Sequence, residues 1–366
     1  MQSTPSGSSH PMKSTPDENQ SEDAALPVTP ALTWLQEFVP RRFLSNGHLQ
    51  TIAGNFLPRE FNLPPAESLY VEVDAATRSQ VLCHCHWQPE EVRSRRLTVV
   101  LVHGLEGSSS SQYVIGNAGR AWAAGCNIVR MNMRNCGGND HLSPTLYHSG
   151  LSGDVGAVVE HVVAQHGLSA VAIIGYSMGG NLVLKLAGER GLGIPQLKAV
   201  VGVSPAMDLA ASAAAMHLPP NRVYEWRFLL ALLKRFRHKA SLFPQIYSLD
   251  RLSGVRSLWD FDERVTAYYS GFESAADYYY RAASSRVVEG IAVPTLVLHS
   301  LDDPFIRMLP ETRAALLANP NVTLVETEHG GHCAFLAPAE GYDGYWAEKT
   351  LLGFLLETCD IQNEAL

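Results

Sequence analysis

The chain has 366 residues, 46% of them hydrophobic and 8% aromatic, enough to bury a large core as one big domain or two smaller ones. Its formal net charge of −8 excludes the clustered Lys and Arg excess on which nucleic-acid binding rests. Six cysteines in so long a chain, with no secretory apolar region at its start, read as the reduced thiols of a cytoplasmic protein and not as a disulfide framework.

Residues 1–30 are rich in Ser, Thr, Pro and acidic side chains and read as a disordered tail that buries too little apolar surface to fold. No later run approaches the ~18 apolar residues of a membrane span. "SLYVEVDA" and "SQVLCHCHW" alternate with period two and predict an antiparallel hairpin. Six apolar runs follow: "RLTVVLVHG", "CNIVRMNMR", "AVAIIGYS", "LKAVVGVSP", "TLVLHSL" and "NVTLVETEH". Most are separated by helical segments such as "SQYVIGNAGRAWAAG", which predicts a mostly parallel sheet with helices on both faces. From about 207 to 288 the rhythm breaks, and an insertion of helices is expected there. Its centre, "VYEWRFLLALLKRFRHK", gathers its basic residues at one end, which favours a cap helix packed on the core over peripheral contact with a membrane.

The run Ala170 to Ile174 is a short buried strand, and helical spacing resumes at Asn181. Between them Gly175-Tyr176-Ser177-Met178-Gly179 matches G-x-S-x-G, in which glycines relieve the crowding around a serine presented on a strained strand-to-helix turn. A serine hydroxyl is a weak nucleophile until an imidazole takes its proton, and a carboxylate must fix that imidazole's tautomer. In a serine hydrolase of this topology the partners follow in the order serine, acid, histidine. The chain supplies Asp302-Asp303-Pro304 at one strand's carboxyl end and Gly330-Gly331-His332 after the last strand. The oxyanion donors expected are the backbone N–H groups of Met178, after the nucleophile, and of Leu105 in "VLVHGLEG".

Several residues have plainer readings. His103 is expected to anchor the turn that aims the Leu105 amide, and His329 to be a solvated or loop-bonding neighbour of the base. Asp303 reads as a turn carboxylate, because the residue before Pro304 is biased to extended backbone. In "CHCHW" the two cysteines face one side of a strand and the two histidines the other, so no metal site is expected there or elsewhere. Cys333 reads as a packed thiol.

"RRFLSNGHLQTI", "LVHGLEGSSSSQYV", "MNMRNCGGND", "LYHSGLSGDV", "GYSMGGNLVLK", "FDERVTAYYSGFESAADYYYRAAS", "SLDDPFI" and "GGHCAF" together resemble the YheT-like hydrolases, the AB hydrolase 4 family of the α/β-hydrolase superfamily. The likeness runs from about residue 35 to 358. It implies an α/β-hydrolase domain over 31–366 with a helical cap at about 207–288. It also implies Ser177 as nucleophile, Asp302 as acid and His332 as base, and hydrolysis of carboxylic esters, with eukaryotic relatives acting on acylglycerols or phospholipids. Asn135 stands where the family pattern R-G-C-G-G has glycine. His48, Gln50, Arg134 and His148 are read as hydrogen-bonding clamps that lock loops.

The expectation is a cytoplasmic serine esterase, a carboxylesterase that needs no cofactor and takes a small-molecule ester, with Trp226, Phe228 and Tyr278 of the cap lining an apolar acyl pocket. A lipase, thioesterase or acyltransferase would use the same triad. A non-catalytic ligand-binding homologue would keep the fold without the chemistry.

Overall fold

A computed structural model describes residues 32–57, 59 and 62–359; the proposed tail at 1–30 lies outside them. Trp34 onwards forms one compact unit around an eight-stranded sheet of order β1-β2-β4-β3-β5-β6-β7-β8. The first two strands, β1 (Glu67–Asp74) and β2 (Ser79–His86), form the expected antiparallel hairpin, and β2 also runs antiparallel to β4 (Asn127–Met131). All remaining pairings are parallel, among β3 (Thr98–Val102), β4, β5 (Val171–Tyr176), β6 (Leu197–Val203), β7 (Thr295–Ser300) and β8 (Val322–Thr327). Central strands covered on both faces carry near-continuous apolar runs, and every residue of β3, β4, β5 and β7 is buried.

The helices are α1 (Gly47–Phe56), α2 (Gln112–Ala123), α3 (Ser152–His166), α4 (Met178–Arg190), α5 (Leu209–Met216), α6 (Arg222–Leu242), α7 (Ala275–Ala282), α8 (Pro310–Ala318) and α9 (Trp346–Thr358), apart from shorter turns. On one face of the sheet Val114 and Ala118 of α2 pack with Leu351 and Leu355 of α9. On the other, Val155 and Val159 of α3 pack with Leu182 and Leu186 of α4. Each such side chain, once buried, contributes on the order of 1.5–3 kcal/mol.

Helices α5, α6 and α7 all lie between β6 and β7. Helix α6 turns Leu229, Leu232, Phe236 and Ala240 inward and leaves Val223, Trp226 and Leu230 exposed, so it packs as a cap helix by its 3.6-residue period. Among the described residues no helix is long and apolar enough to cross a membrane. Cys83, Cys85, Cys126 and Cys136 are buried thiols, and no group of three or more His, Cys, Asp and Glu among the described residues is placed to hold a metal ion.

Strand order fixes where a site can form. From β3 the chain moves outward to β4 and then returns to β5 on β3's other side, so the loops after β3 and β5 part company and open a crevice at the sheet's carboxyl edge.

Candidate active site

Ser177 sits in that crevice. Strand β5 ends at Tyr176, α4 begins at Met178, and between them Ser177 takes φ 55° and ψ −116°, a conformation an L-residue holds only when its surroundings impose it. The surroundings are close backbone. A Cβ on Gly175 would lie 2.2 Å from the Gly179 carbonyl oxygen, and one on Gly179 would lie 2.4 Å from that of His103. Both glycines of G-x-S-x-G are therefore needed for α4 to start so close to β3 and β5. Ser177 N–H donates to Val203 O at 2.9 Å, and Ser177 itself is half-buried while its neighbours on either side are buried.

Leu105 and Met178 border the same space. Among the described residues neither backbone N–H has an acceptor, as expected for the first residue of a helix and for an amide held out by a turn. The turn is built as the sequence suggested for His103. That ring is fully buried, with Nδ1 2.7 Å from Gly104 O and Nε2 accepting from Met133 N at 3.1 Å, an arrangement that fixes the neutral tautomer. Burial pushes its pKa down to about 4. Tyr113 O–H completes the turn by accepting from Gly104 N at 2.9 Å.

His332 reaches the crevice from the loop after β8. Its Nδ1 lies 2.8 Å from Asp303 Oδ2, and this corrects the expectation for Asp302. Asp303 is buried, and its Oδ1 accepts from the N–H groups of Phe305 (3.1 Å) and Ile306 (2.9 Å). The turn carboxylate and the partner of His332 are thus one residue: Oδ1 holds the turn and Oδ2 is left for the imidazole. Its role in the turn before Pro304 does not disqualify it, since the two oxygens serve different partners. Asp302 instead accepts from Ser300 Oγ (2.5 Å) and Gly331 N (2.8 Å), and its Oδ2 lies 3.5 Å from His329 Nδ1. It shapes the histidine loop from behind. Burial works against the Asp303 charge, but His332 and the Ile306 amide outweigh it and hold the carboxyl below its usual range.

The loop depends on a residue that the motif search passed over. Thr51 Oγ1 donates to Gly47 O at 2.7 Å and accepts from His332 N at 2.8 Å, tying α1 to the histidine loop. The only signal was "HLQT" in the resemblance. Its neighbour Gln50 is the expected clamp, exchanging two bonds with Leu336, and Arg134 is another, paired with buried Asp154. His148 is half-buried against Phe272 and Tyr278 and borders the cavity, while His48 Nδ1 meets Tyr224 Oη on the cap at 3.2 Å.

His332 Nε2 faces Cys333 Sγ at 3.6 Å. Burial lowers the imidazole's pKa, yet the Cys333 sulfur and Asp303 together carry it up to about 10. Only the neutral ring can take a proton, so an upward shift delays activity to higher pH. We expect Cys333→Ser, which replaces an ionisable sulfur by a neutral hydroxyl, to move the acid limb of the kcat/KM profile to lower pH. An unmoved or raised limb would show that the sulfur is not the source.

Ser177 lies where two cavities meet. One, of about 150 Å³, runs under the cap and is lined by Leu105, Met178, Phe228, Leu232, Phe236 and Tyr278 among others. The other, of about 360 Å³, is bordered by Thr51, Tyr113, Arg227, His332 and Cys333. Phe228 and Tyr278 both line the cap-side cavity. Trp226 does not: it is 64% exposed on α6 and lines neither cavity. Asp262 interrupts the apolar lining from within a π-helical turn, bonded to Thr266 and Tyr279, with burial lifting its pKa to about 6.

The alpha/beta hydrolase fold model matches residues 98–338. The Escherichia coli (strain K12) protein named "Putative esterase YheT" is 32% identical over 87% of this chain and 93% of its own length. Phospholipase ABHD3 of Bos taurus is 30% identical over 70% of this chain and 61% of its length. Among solved structures, the Pyrococcus furiosus esterase Pf2001 superposes with a TM-score of 0.51 at 16% identity, covering 82% of this chain and 96% of that one, and so shares the fold. The chain belongs to the YheT-like, AB hydrolase 4 family of the alpha/beta hydrolases.

Proposed function

We propose that the protein is a serine hydrolase that cleaves carboxylic esters through an acyl-enzyme on Ser177. The observation that carries this reading is the convergence, on one crevice, of a serine at φ 55°, two backbone N–H groups without acceptors among the described residues, and a histidine held by a buried carboxylate at 2.8 Å. Ser177 Oγ attacks the ester carbonyl carbon as its proton passes to His332 Nε2. Asp303 fixes the ring and stabilises the imidazolium. Leu105 and Met178 N–H groups receive the negative oxygen of the tetrahedral intermediate. When that intermediate collapses, the C–O bond to the alcohol breaks and His332 returns the proton to the leaving oxygen. Water then repeats the sequence on the acyl-enzyme and frees the acid and Ser177. Neither half-reaction calls on a cofactor. Relatives named as an esterase, a phospholipase and a monoacylglycerol lipase are consistent with an ester as substrate.

The cap-side cavity is assigned to the acyl group and the wider one to the alcohol, because Leu209, Met216, Leu232 and Phe236 make the former the more apolar. Each methylene buried there contributes about 0.8 kcal/mol, close to fourfold in kcat/KM. Efficiency on p-nitrophenyl esters should therefore climb from acetate through butyrate to hexanoate until the chain fills the cavity. Faster hydrolysis of acetate than of the longer esters would contradict an apolar acyl site.

A further inference from the structure

The Leu105 amide is aimed by a turn whose next residue, Glu106, has φ 57°, in the left-handed region that a side chain disfavours. Something outside the turn must hold it. Glu106 Oε1 accepts from Tyr147 O–H at 2.5 Å and from Arg235 Nε at 2.8 Å, and Arg235 Nη2 donates to Oε2 at 3.0 Å. Tyr147 comes from the segment between β4 and α3. Arg235 comes from α6, the cap, and its fork grips both carboxylate oxygens.

The same arginine donates through Nη1 to the Asn135 carbonyl, and one helical turn further on Lys239 donates to Asn135 Oδ1, Asp140 O and Ser143 O. Asn135 has φ 63°, which explains why glycine suits this position in the family pattern and why asparagine is the next best occupant. Its side chain gives Lys239 an acceptor that glycine lacks. Lys239 thus ties the cap to this segment with contacts of its own, and of the two cations only Arg235 also reaches Glu106.

We propose that Arg235 is a positioning residue for the oxyanion hole: through Glu106 it holds the Leu105 N–H in its donating direction, so that catalysis depends on the cap being seated. The inference rests on the hydrolase reading above. A loosened donor weakens the transition state more than the bound ester, so the loss falls on kcat and on binding of tetrahedral analogues. Removing an oxyanion donor outright costs about 10²–10³ in turnover, and freeing its turn should cost less, about ten- to a hundredfold.

The test compares the full-length protein with Arg235→Met, Arg235→Lys, Glu106→Gln and the double variant R235M/E106Q, with exposed Arg237→Met as control. The readouts are kcat and KM on p-nitrophenyl butyrate and the affinity of butylboronic acid, whose boron becomes tetrahedral on accepting Ser177 Oγ. Expected are falls in kcat and boronate affinity by matching factors in R235M and E106Q, with KM within about threefold. The double variant should be no worse than the poorer single, and R235K should recover part of the loss through one of the two carboxylate contacts. R235M retaining wild-type kcat and boronate affinity, or losing activity through KM alone, overturns the inference while the hydrolase reading stands. If R235M unfolds, E106Q, which keeps Arg235 and its volume, decides in the same terms. A wild-type protein that neither turns over the ester nor binds the boronic acid overturns the hydrolase reading and this inference with it.

Discussion

Ser177→Ala should abolish ester turnover and leave the fold in place, with a fall of about 10⁶ in kcat, the usual cost of losing a nucleophile that works as a unit with its base. The fold should survive because the residue is half-buried at a turn and the hydroxyl fills no core volume. Alanine is also the mildest replacement at φ 55°, since it adds nothing beyond the Cβ already present. Thermal unfolding within a few degrees of wild type, together with residual turnover under a thousandth, fits the assignment. More than a tenth of the activity remaining would transfer the nucleophile elsewhere.

The second large effect separates two adjacent carboxylates. Asp303→Asn should cost about 10⁴ in turnover, as the equivalent change does in a serine protease, because an amide next to Nδ1 permits the tautomer whose Nε2 carries the proton and cannot accept another. It also removes a charge that helps stabilise the imidazolium, and this loss cannot be recovered from solvent at a buried site. Asp302→Asn should cost less than about tenfold. Its amide oxygen still accepts from Gly331 N and Ser300 Oγ, and it stands behind the loop rather than against the ring. Turnover of p-nitrophenyl butyrate by both variants, at matched folding, checks this. A heavier loss in Asp302→Asn would reverse the assignment.

That pair also marks where the sequence stopped being readable. Strand-to-loop spacing led to two loops, after β7 and β8, that the structure brings together at Asp303 and His332, because buried parallel strands and glycine-bearing loops announce themselves in composition. Choosing between Asp302 and Asp303 required the side-chain direction after a strand end, which the residue types alone do not encode. Trp226 failed for a simpler reason: bulk and aromaticity suggested a pocket, but three residues before Leu229 it stands at the margin of the inward face and is 64% exposed. The links from Thr51 to His332 and from Arg235 to Glu106 span 281 and 129 positions, and no local pattern encodes contacts at that separation. His103 was read correctly because its place beside a glycine turn leaves few roles open to it.

The central claim is that Ser177 is an activated nucleophile, and the most direct measurement is the mass of the protein after a fluorophosphonate. A native sample should gain one phosphonyl group, mapped to the peptide containing Ser177, and the gain should vanish in Ser177→Ala and fall sharply in His332→Ala. Modification at another residue, or none in the native protein at concentrations that label serine esterases, would contradict the account.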